Sequence, residues 1–222
     1  GPDSTLLALC AAQWARQRGH ALPHLVHVDH RWSGEGMFVP VVARLAETLA
    51  LPLTVLAAPD PVDAREAPAR QLRHAALARH AKSLSGTGGV ATVALGHSAS
   101  DRAETLAMRL MRGSGPFGLA VMPASGPSPS WPEGMGVTII RPLASLSRAA
   151  IVARLGDHPE LVSCNDPANT DPRHERVRWR QALSAPGPLL ELASRAARYR
   201  ELMAGLAARL VIDECPAGVL SL

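Results

Sequence analysis

Two carboxylates stand three residues apart in "LGHSASDRAETLAMRLMRGSG", residues 95–115: Asp101 and Glu104. On a helix that spacing puts both on one face of the first turn. Carboxylates there suit the helix dipole, so capping is a sufficient reason for them. The same pair could instead bind an ammonium group or a magnesium ion. His97 precedes them at the end of an apolar run, and Arg109 and Arg112 close the helix, where cations favour the dipole. The "RGSG" that follows is not explained by capping. Asp29 and His30, in "VDH", stand at another strand end, where either alone is an ordinary turn residue. The opening "GPDS", Gly1 to Ser4, runs into an apolar stretch. Asp3 or Ser4 could cap a helix there. A glycine-containing turn at a helix N-terminus also presents backbone N–H groups and a positive dipole end, which suits pyrophosphate. Arg70 and Arg73 are i,i+3 neighbours on a helix, where a solvated face is the default. In "NDPANTDPRHERVRWR", Arg173, Arg176 and Arg180 share a helical face, which is either solvated or set against RNA.

These residues need elements to position them. Residues 5–18, 38–50, 65–83, 101–112, 147–156, 173–184 and 188–210 have helical character, with Ser147 as an N-cap. Residues 24–29, 51–56, 89–97 and 136–144 read as strands. The run at 89–97 is nearly continuous and apolar, as in a strand buried on both faces. Helix and strand alternate, which predicts an α/β fold: a doubly wound parallel sheet with helices on both faces. The order also implies a strand before Thr5. In such sheets the ligand lies beyond the carboxyl ends of the strands. Those ends include "GPDS", "VDH" and "LGH". Residues 113–136 are rich in glycine and proline and read as a long mobile loop, a lid or a plain connection.

The 222 residues are 47% hydrophobic and contain no apolar run of membrane length. Cys10, Cys164 and Cys215 are far apart and form no C-x-x-C pair. A reducing, cytoplasmic setting is expected, without a cysteine-built zinc or iron–sulfur site. Arginine outnumbers lysine 22 to 1. Residues 173–200 carry seven arginines against Glu175 and Glu191, whereas the whole chain has a net charge of +4. That local excess is a candidate contact for a phosphate backbone.

Taken in order, the motifs resemble the PP-loop (N-type) ATP pyrophosphatase superfamily and, within it, the tRNA(Ile)-lysidine synthetase family. That superfamily carries Ser-Gly-Gly-x-Asp-Ser after its first strand, and "GPDS" matches the last four residues. "VDH" at 28–30, "ARQLRH" at 69–74, "LGH…D…ET…RGSG" at 95–115, "RPL" with "SR" at 141–148, and "NDPANTD" at 165–171 match in turn. The likeness covers almost all of residues 1–185. Departures are the absent first strand and first Ser-Gly, Arg31-Trp32-Ser33 after "VDH", and His74 where an aromatic often stands.

The resemblance implies an ATP-binding PP-loop catalytic domain over residues 1–185, N-terminally truncated, with a helical linker or the start of a C-terminal region at 186–222. It implies adenylation of the wobble cytosine of an isoleucine tRNA with a CAU anticodon, then attack by free lysine to give lysidine. Its cofactors would be ATP and Mg2+. Gly1, Pro2, Asp3, Ser4, Asp29, His30 and His97 would bind ATP, with Asp3 also holding the metal. Asp3, Asp29, Asp101 and Glu104 would serve catalysis. Asp101 and Glu104 would bind lysine, and Arg73 and Arg109 would bind its carboxylate or else phosphate. Arg112, Arg173, Arg176, Arg178 and Arg180 would contact tRNA. A second copy of the chain is a further candidate partner, and a membrane is not. Three alternatives stay open: a tRNA thiolase, a small-molecule amidotransferase or synthetase, and an inactive RNA-binding fragment. The last follows from the cut loop. Loss of a central strand would also leave open edges on its neighbours and impair ATP binding.

Overall fold

The computed structural model describes residues 1–29, 38–57, 66–86, 89–161, 163–164, 175–183 and 186–214, so His30 and Arg173 fall outside it. In chain order the elements are α1 (Pro2–Arg18), β1 (Leu25–Asp29), α2 (Phe38–Thr48), β2 (Leu53–Ala57), α3 (Glu66–Ser85), β3 (Ala91–Ala94), α4 (Ala99–Met111), α5 (Pro116–Leu119), β4 (Ser125–Pro127), β5 (Val137–Ile140), α6 (Arg148–Gly156), α7 (Glu175–Ala182) and α8 (Gly187–Glu214). They divide into two compact units. The first is Gly1–Ser98 with Ala124–Asn169, and the second is Ala99–Pro123 with Thr170–Leu222.

The first unit is α/β with parallel pairing. β1 lies parallel to β2, with Leu25 opposite Leu53 and Asp29 opposite Ala57. β3 lies parallel to β5, with Ala91 opposite Val137. β4 adds antiparallel to the other side of β5. Among the described residues no ladder joins the two groups, but α3 packs against both β1 and β3. The main core lies around α1. Leu6 and Leu9 meet Leu45, Leu49, Leu51, Leu143 and Ile151. Leu6 and Ile151 are fully buried, and burial of each contributes about 2 kcal/mol. A smaller core of Ala78, Ala91 and Val137 joins α3 to β3 and β5.

Three expectations change. α1 begins at Pro2, not Thr5, so "GPDS" is already its first turn. Proline is compatible with that position, because the first N–H groups of a helix lack intrahelical acceptors anyway. Asp3 and Ser4 are therefore inside the helix, and Gly1 is the N-cap residue, without a side-chain cap. The stretch at 113–136 is not one long loop, since it holds α5 and β4. β3 is not buried throughout: Ala91 is buried, but Thr92 and Ala94 are exposed. Ser147 does cap α6, accepting from the Ala150 N–H at 3.1 Å.

The second unit is helical. α4 packs against α5, α7 and α8, and α5 against α8. Ala103, Leu106 and Ala107 are the buried stripe of α4, at the i,i+3,i+4 spacing of an amphipathic helix. Leu106 packs with Val121 and Ala193, bordered by Leu119 and Leu189. Phe117 meets Tyr199 edge-on, with ring centroids 5.7 Å apart.

Candidate active site

In the first unit, the start of α1 and the turn after β3 meet backbone to backbone. A Cβ on Gly96 would lie 3.1 Å from the Asp3 carbonyl carbon and oxygen and from the Ser4 nitrogen. The glycine of "LGH" is therefore demanded by close approach to the "GPDS" turn. Thr5 reinforces that turn: its N–H and its hydroxyl both donate to the Gly1 carbonyl, at 3.1 and 3.2 Å. Arg148, the first residue of α6, donates to Asp3 Oδ2 at 2.6 Å. Arg141, just past β5, donates from Nε to His97 Nδ1 at 3.3 Å. That bond makes Nδ1 the acceptor and puts the proton of a neutral ring on Nε2. Asp29 ends β1. The structure thus joins Gly1, Pro2, Asp3, Ser4 and His97 in one neighbourhood.

Arg141, Arg148 and Gly96 were not singled out from the sequence as site residues. Their signal was present, since they sit in the "LGH", "RPL" and "SR" motifs. His74 is another. It lies on α3 beside Arg73, is 3% exposed, and has no hydrogen-bond partner at either ring nitrogen. Burial, then the guanidiniums of Arg70, Arg73 and Arg141, push its pKa down to about 4.

In the second unit, Asp101 and Glu104 both face α7. Glu104 is 1% exposed and takes a two-pronged guanidinium: Arg180 Nε to Oε1 at 2.7 Å and NH2 to Oε2 at 3.2 Å. The same NH2 is 3.9 Å from Asp101 Oδ1. The two carboxylates thus share one guanidinium from the same chain. α4 begins at Ala99, so Asp101 is in its first turn and Glu104 lies beyond it, where the dipole gives little reason for a carboxylate. Arg176 donates to the Thr105 hydroxyl at 3.3 Å, and Arg112 pairs with Glu175. Arg109 closes the α4–α5 turn by donating to the Gly118 carbonyl. Arg178 is exposed. Among the described residues no three His, Cys, Asp or Glu side chains gather as a metal cage. A magnesium ion does not require one, because one or two carboxylates with substrate phosphates commonly suffice.

Residues 1–187 match the family described as a PP-loop domain. The tRNA(Ile)-lysidine synthase of Hyphomonas neptunium is 38% identical over 227 residues, covering 98% of this chain and 59% of that protein. Its counterpart in Rhodopseudomonas palustris is 39% identical over 210 residues, covering 89% of this chain and 57% of that protein. The one in Symbiobacterium thermophilum is 40% identical over 187 residues, covering 81% and 36%. The chain therefore spans little more than half the length of the first two. Among solved structures, a U34-tRNA thiolase from Methanococcus maripaludis with its 4Fe-4S cluster superposes with a TM-score of 0.69 at 16% identity, covering 90% of this chain and 69% of that one. At that identity the likeness bears on the fold alone. With its matched motifs joined around the first turn of α1, the chain belongs to the PP-loop domain family.

Proposed function

We propose that this chain carries the catalytic part of an ATP-dependent ligase that forms lysidine on an isoleucine tRNA with a CAU anticodon. ATP would adenylate the oxygen on carbon 2 of the wobble cytidine, releasing pyrophosphate. The ε-amine of free lysine would then attack that carbon and displace AMP. The names of the relatives support this reading. The observation that supports it is the Asp101–Glu104 pair, two carboxylates that share the Arg180 guanidinium on a chain with a PP-loop turn, a pairing that a lysine ammonium could replace.

Each residue's part follows from its setting. The first turn of α1 offers backbone N–H groups and the exposed Ser4 hydroxyl to phosphate oxygens. Asp3 would hold magnesium, with its carboxylate aimed by Arg148. Once bound, the ion neutralises charge on the leaving pyrophosphate. An ammonium must lose a proton before it attacks. Glu104 is buried and committed to two hydrogen bonds, so it anchors the cation. Asp101 is looser and more exposed, which suits the proton acceptor, with Asp29 in support. Arg73 would bind the lysine carboxylate or phosphate, while Arg109 holds the α4–α5 turn. Arg112, Arg176 and Arg178 would approach the tRNA backbone.

The test supplies ATP, magnesium, radiolabelled lysine and a CAU-anticodon isoleucine tRNA transcript. It is run on the 222-residue chain and on a version extended upstream of Gly1 with the family's Ser-Gly and a strand. Lysine should enter the tRNA with one AMP formed per lysine. If neither version incorporates lysine, the substrate assignment is wrong.

A further inference from the structure

Pro68, Gln71, Leu72 and Ala75 of α3 are spaced i, i+3, i+4 and i+7, so they lie along one face of the helix. The turn between β4 and β5 supplies Ser130, Trp131 and Glu133 opposite them, and the two together line a groove of about 240 Å³. The turn is pinned. The Gly134 N–H donates to the Ser130 carbonyl at 2.9 Å, and the Val137 N–H to the Gly134 carbonyl at 3.0 Å. Ser130 is buried, yet Trp131 beside it is 73% exposed. A ring that large is normally buried over most of its surface, so one held in solvent on a fixed turn calls for a reason. All these residues lie in the first unit, and none of them belongs to the candidate active site.

The groove is smaller than the roughly 300–1,000 Å³ pockets that enclose drug-sized ligands, so it suits one planar ring with the rest of its molecule outside. Its polar groups are varied: Gln71 and Ser130 can both donate and accept, and Glu133 accepts only. The same helix face continues past the groove to Arg79 and Lys82, four and seven residues beyond Ala75, and both are exposed. Arg79 is 3.8 Å from Glu133. We infer that this groove is a base-binding subsite for single-stranded RNA. Trp131 stacks on one unpaired base, Gln71 and Glu133 meet its edge, and Arg79 and Lys82 take the adjoining phosphates. A carboxylate that accepts from an exocyclic amino group favours cytosine or adenine over uracil. A peptide side chain fits less well, because an apolar one leaves the edge groups unanswered and gives the two cations nothing to neutralise. The inference rests on the chain acting on RNA, as proposed above, and not on its use of lysine or ATP.

The test titrates the whole chain into fluorescently labelled short oligo(rC), oligo(rU) and an abasic ribose-phosphate oligomer of equal length, across a salt series, without ATP or lysine. Anisotropy is the readout. Oligo(rC) should bind tightest. Trp131→Ala should weaken that binding by roughly 5- to 100-fold and leave its salt slope unchanged, because stacking carries no charge. Trp131→Phe should keep most of the affinity. The ring is exposed, so both variants should retain the wild-type Tm. Glu133→Gln should narrow the preference for oligo(rC) over oligo(rU). Lys82→Ala should lower the slope of log affinity against log salt by about 0.7, the single-strand value for one phosphate contact. A Trp131→Ala protein that binds oligo(rC) as wild type does would overturn the inference. So would a wild type that binds the abasic oligomer equally well, or binds none of the three. Lysine incorporation into the tRNA is assayed alongside. Incorporation by wild type with no loss of RNA binding in Trp131→Ala refutes the groove alone. Selective oligo(rC) binding with no incorporation refutes the lysidine reading alone.

Discussion

At the scale of single residues, burial distinguishes two carboxylates that the sequence makes look alike. Glu104 is closed off and held at two points, whereas Asp101 keeps a loose ion pair. Asp101→Asn should raise the KM for lysine by about tenfold or more and change that for ATP little, as measured by steady-state lysine incorporation. Equal losses for both substrates would remove Asp101 from the lysine site. Arg180→Gln leaves a buried carboxylate without its counter-charge and should destabilise the chain by about 3 kcal/mol in urea unfolding. Millimolar lysine should recover part of that loss if its ammonium enters the same seat. His74 makes a prediction with a definite sign. The folded protein holds the His74 proton less tightly than the unfolded chain, whose ordinary value is 6.5. Its contribution is whole above pH 6.5 and falls away toward pH 4, by on the order of 3 kcal/mol. His74→Phe should flatten that part of the stability curve.

At the scale of elements, the close approach of Gly96 to the first turn of α1 fixes how that turn sits against the end of β3. Gly96→Ala forces backbone atoms at 3.1 Å to move, since none of them is the free end of a side chain. It should lower stability by about 1–3 kcal/mol and weaken ATP binding more than lysine binding, as followed by thermal unfolding and nucleotide titration. A Gly96→Ala protein with unchanged ATP affinity would show that this approach does not shape the site. The long helices were legible because apolar residues recur at helical spacing, as at Ala103, Leu106 and Ala107 of α4. The start of α1 was displaced because a proline and two polar residues resemble a turn, although all are compatible with a first helical turn. β4 left no periodic signal. Its three residues, Ser125–Pro127, are a strand only because β5 offers an edge to pair with.

At the scale of the whole molecule, charge is unevenly spread. The chain is +4 overall, yet residues 173–200 carry seven arginines and two glutamates. The structure divides those arginines by task. Arg180 serves Glu104 and Arg176 reaches Thr105, while Arg178 stays exposed. tRNA binding should weaken steeply with salt, and Arg178→Ala should lower the slope of log affinity against log salt by about one in filter-binding titrations. An unchanged slope would place Arg178 outside the RNA contact. No helix among the described residues is long and apolar enough to cross a membrane. The chain also separates into an α/β unit and a helical unit in which α4 and α5 join α7 and α8. Helical spacing marks α4, α7 and α8 alike and does not say which of them pack together, and α5 lies in the stretch that the sequence presents as a loop.

Motif identity was a property of the sequence alone. "GPDS", "VDH", "LGH" with Asp101 and Glu104, and the basic run at 173–180 each have an ordinary structural reading, and only their order carries the resemblance to the PP-loop family. Alternation of helix and strand likewise determined the α/β class, since periodicity is local. The tertiary structure alone decided which partner each group has. Arg148 is 145 residues from Asp3, Arg180 is 76 from Glu104, and Arg141 is 44 from His97. Such pairings depend on how helices pack on strands distant in sequence, and no local spacing encodes them. The same holds for His74, whose buried neutrality among three guanidiniums comes from packing contributed by both α3 and the segment after β5.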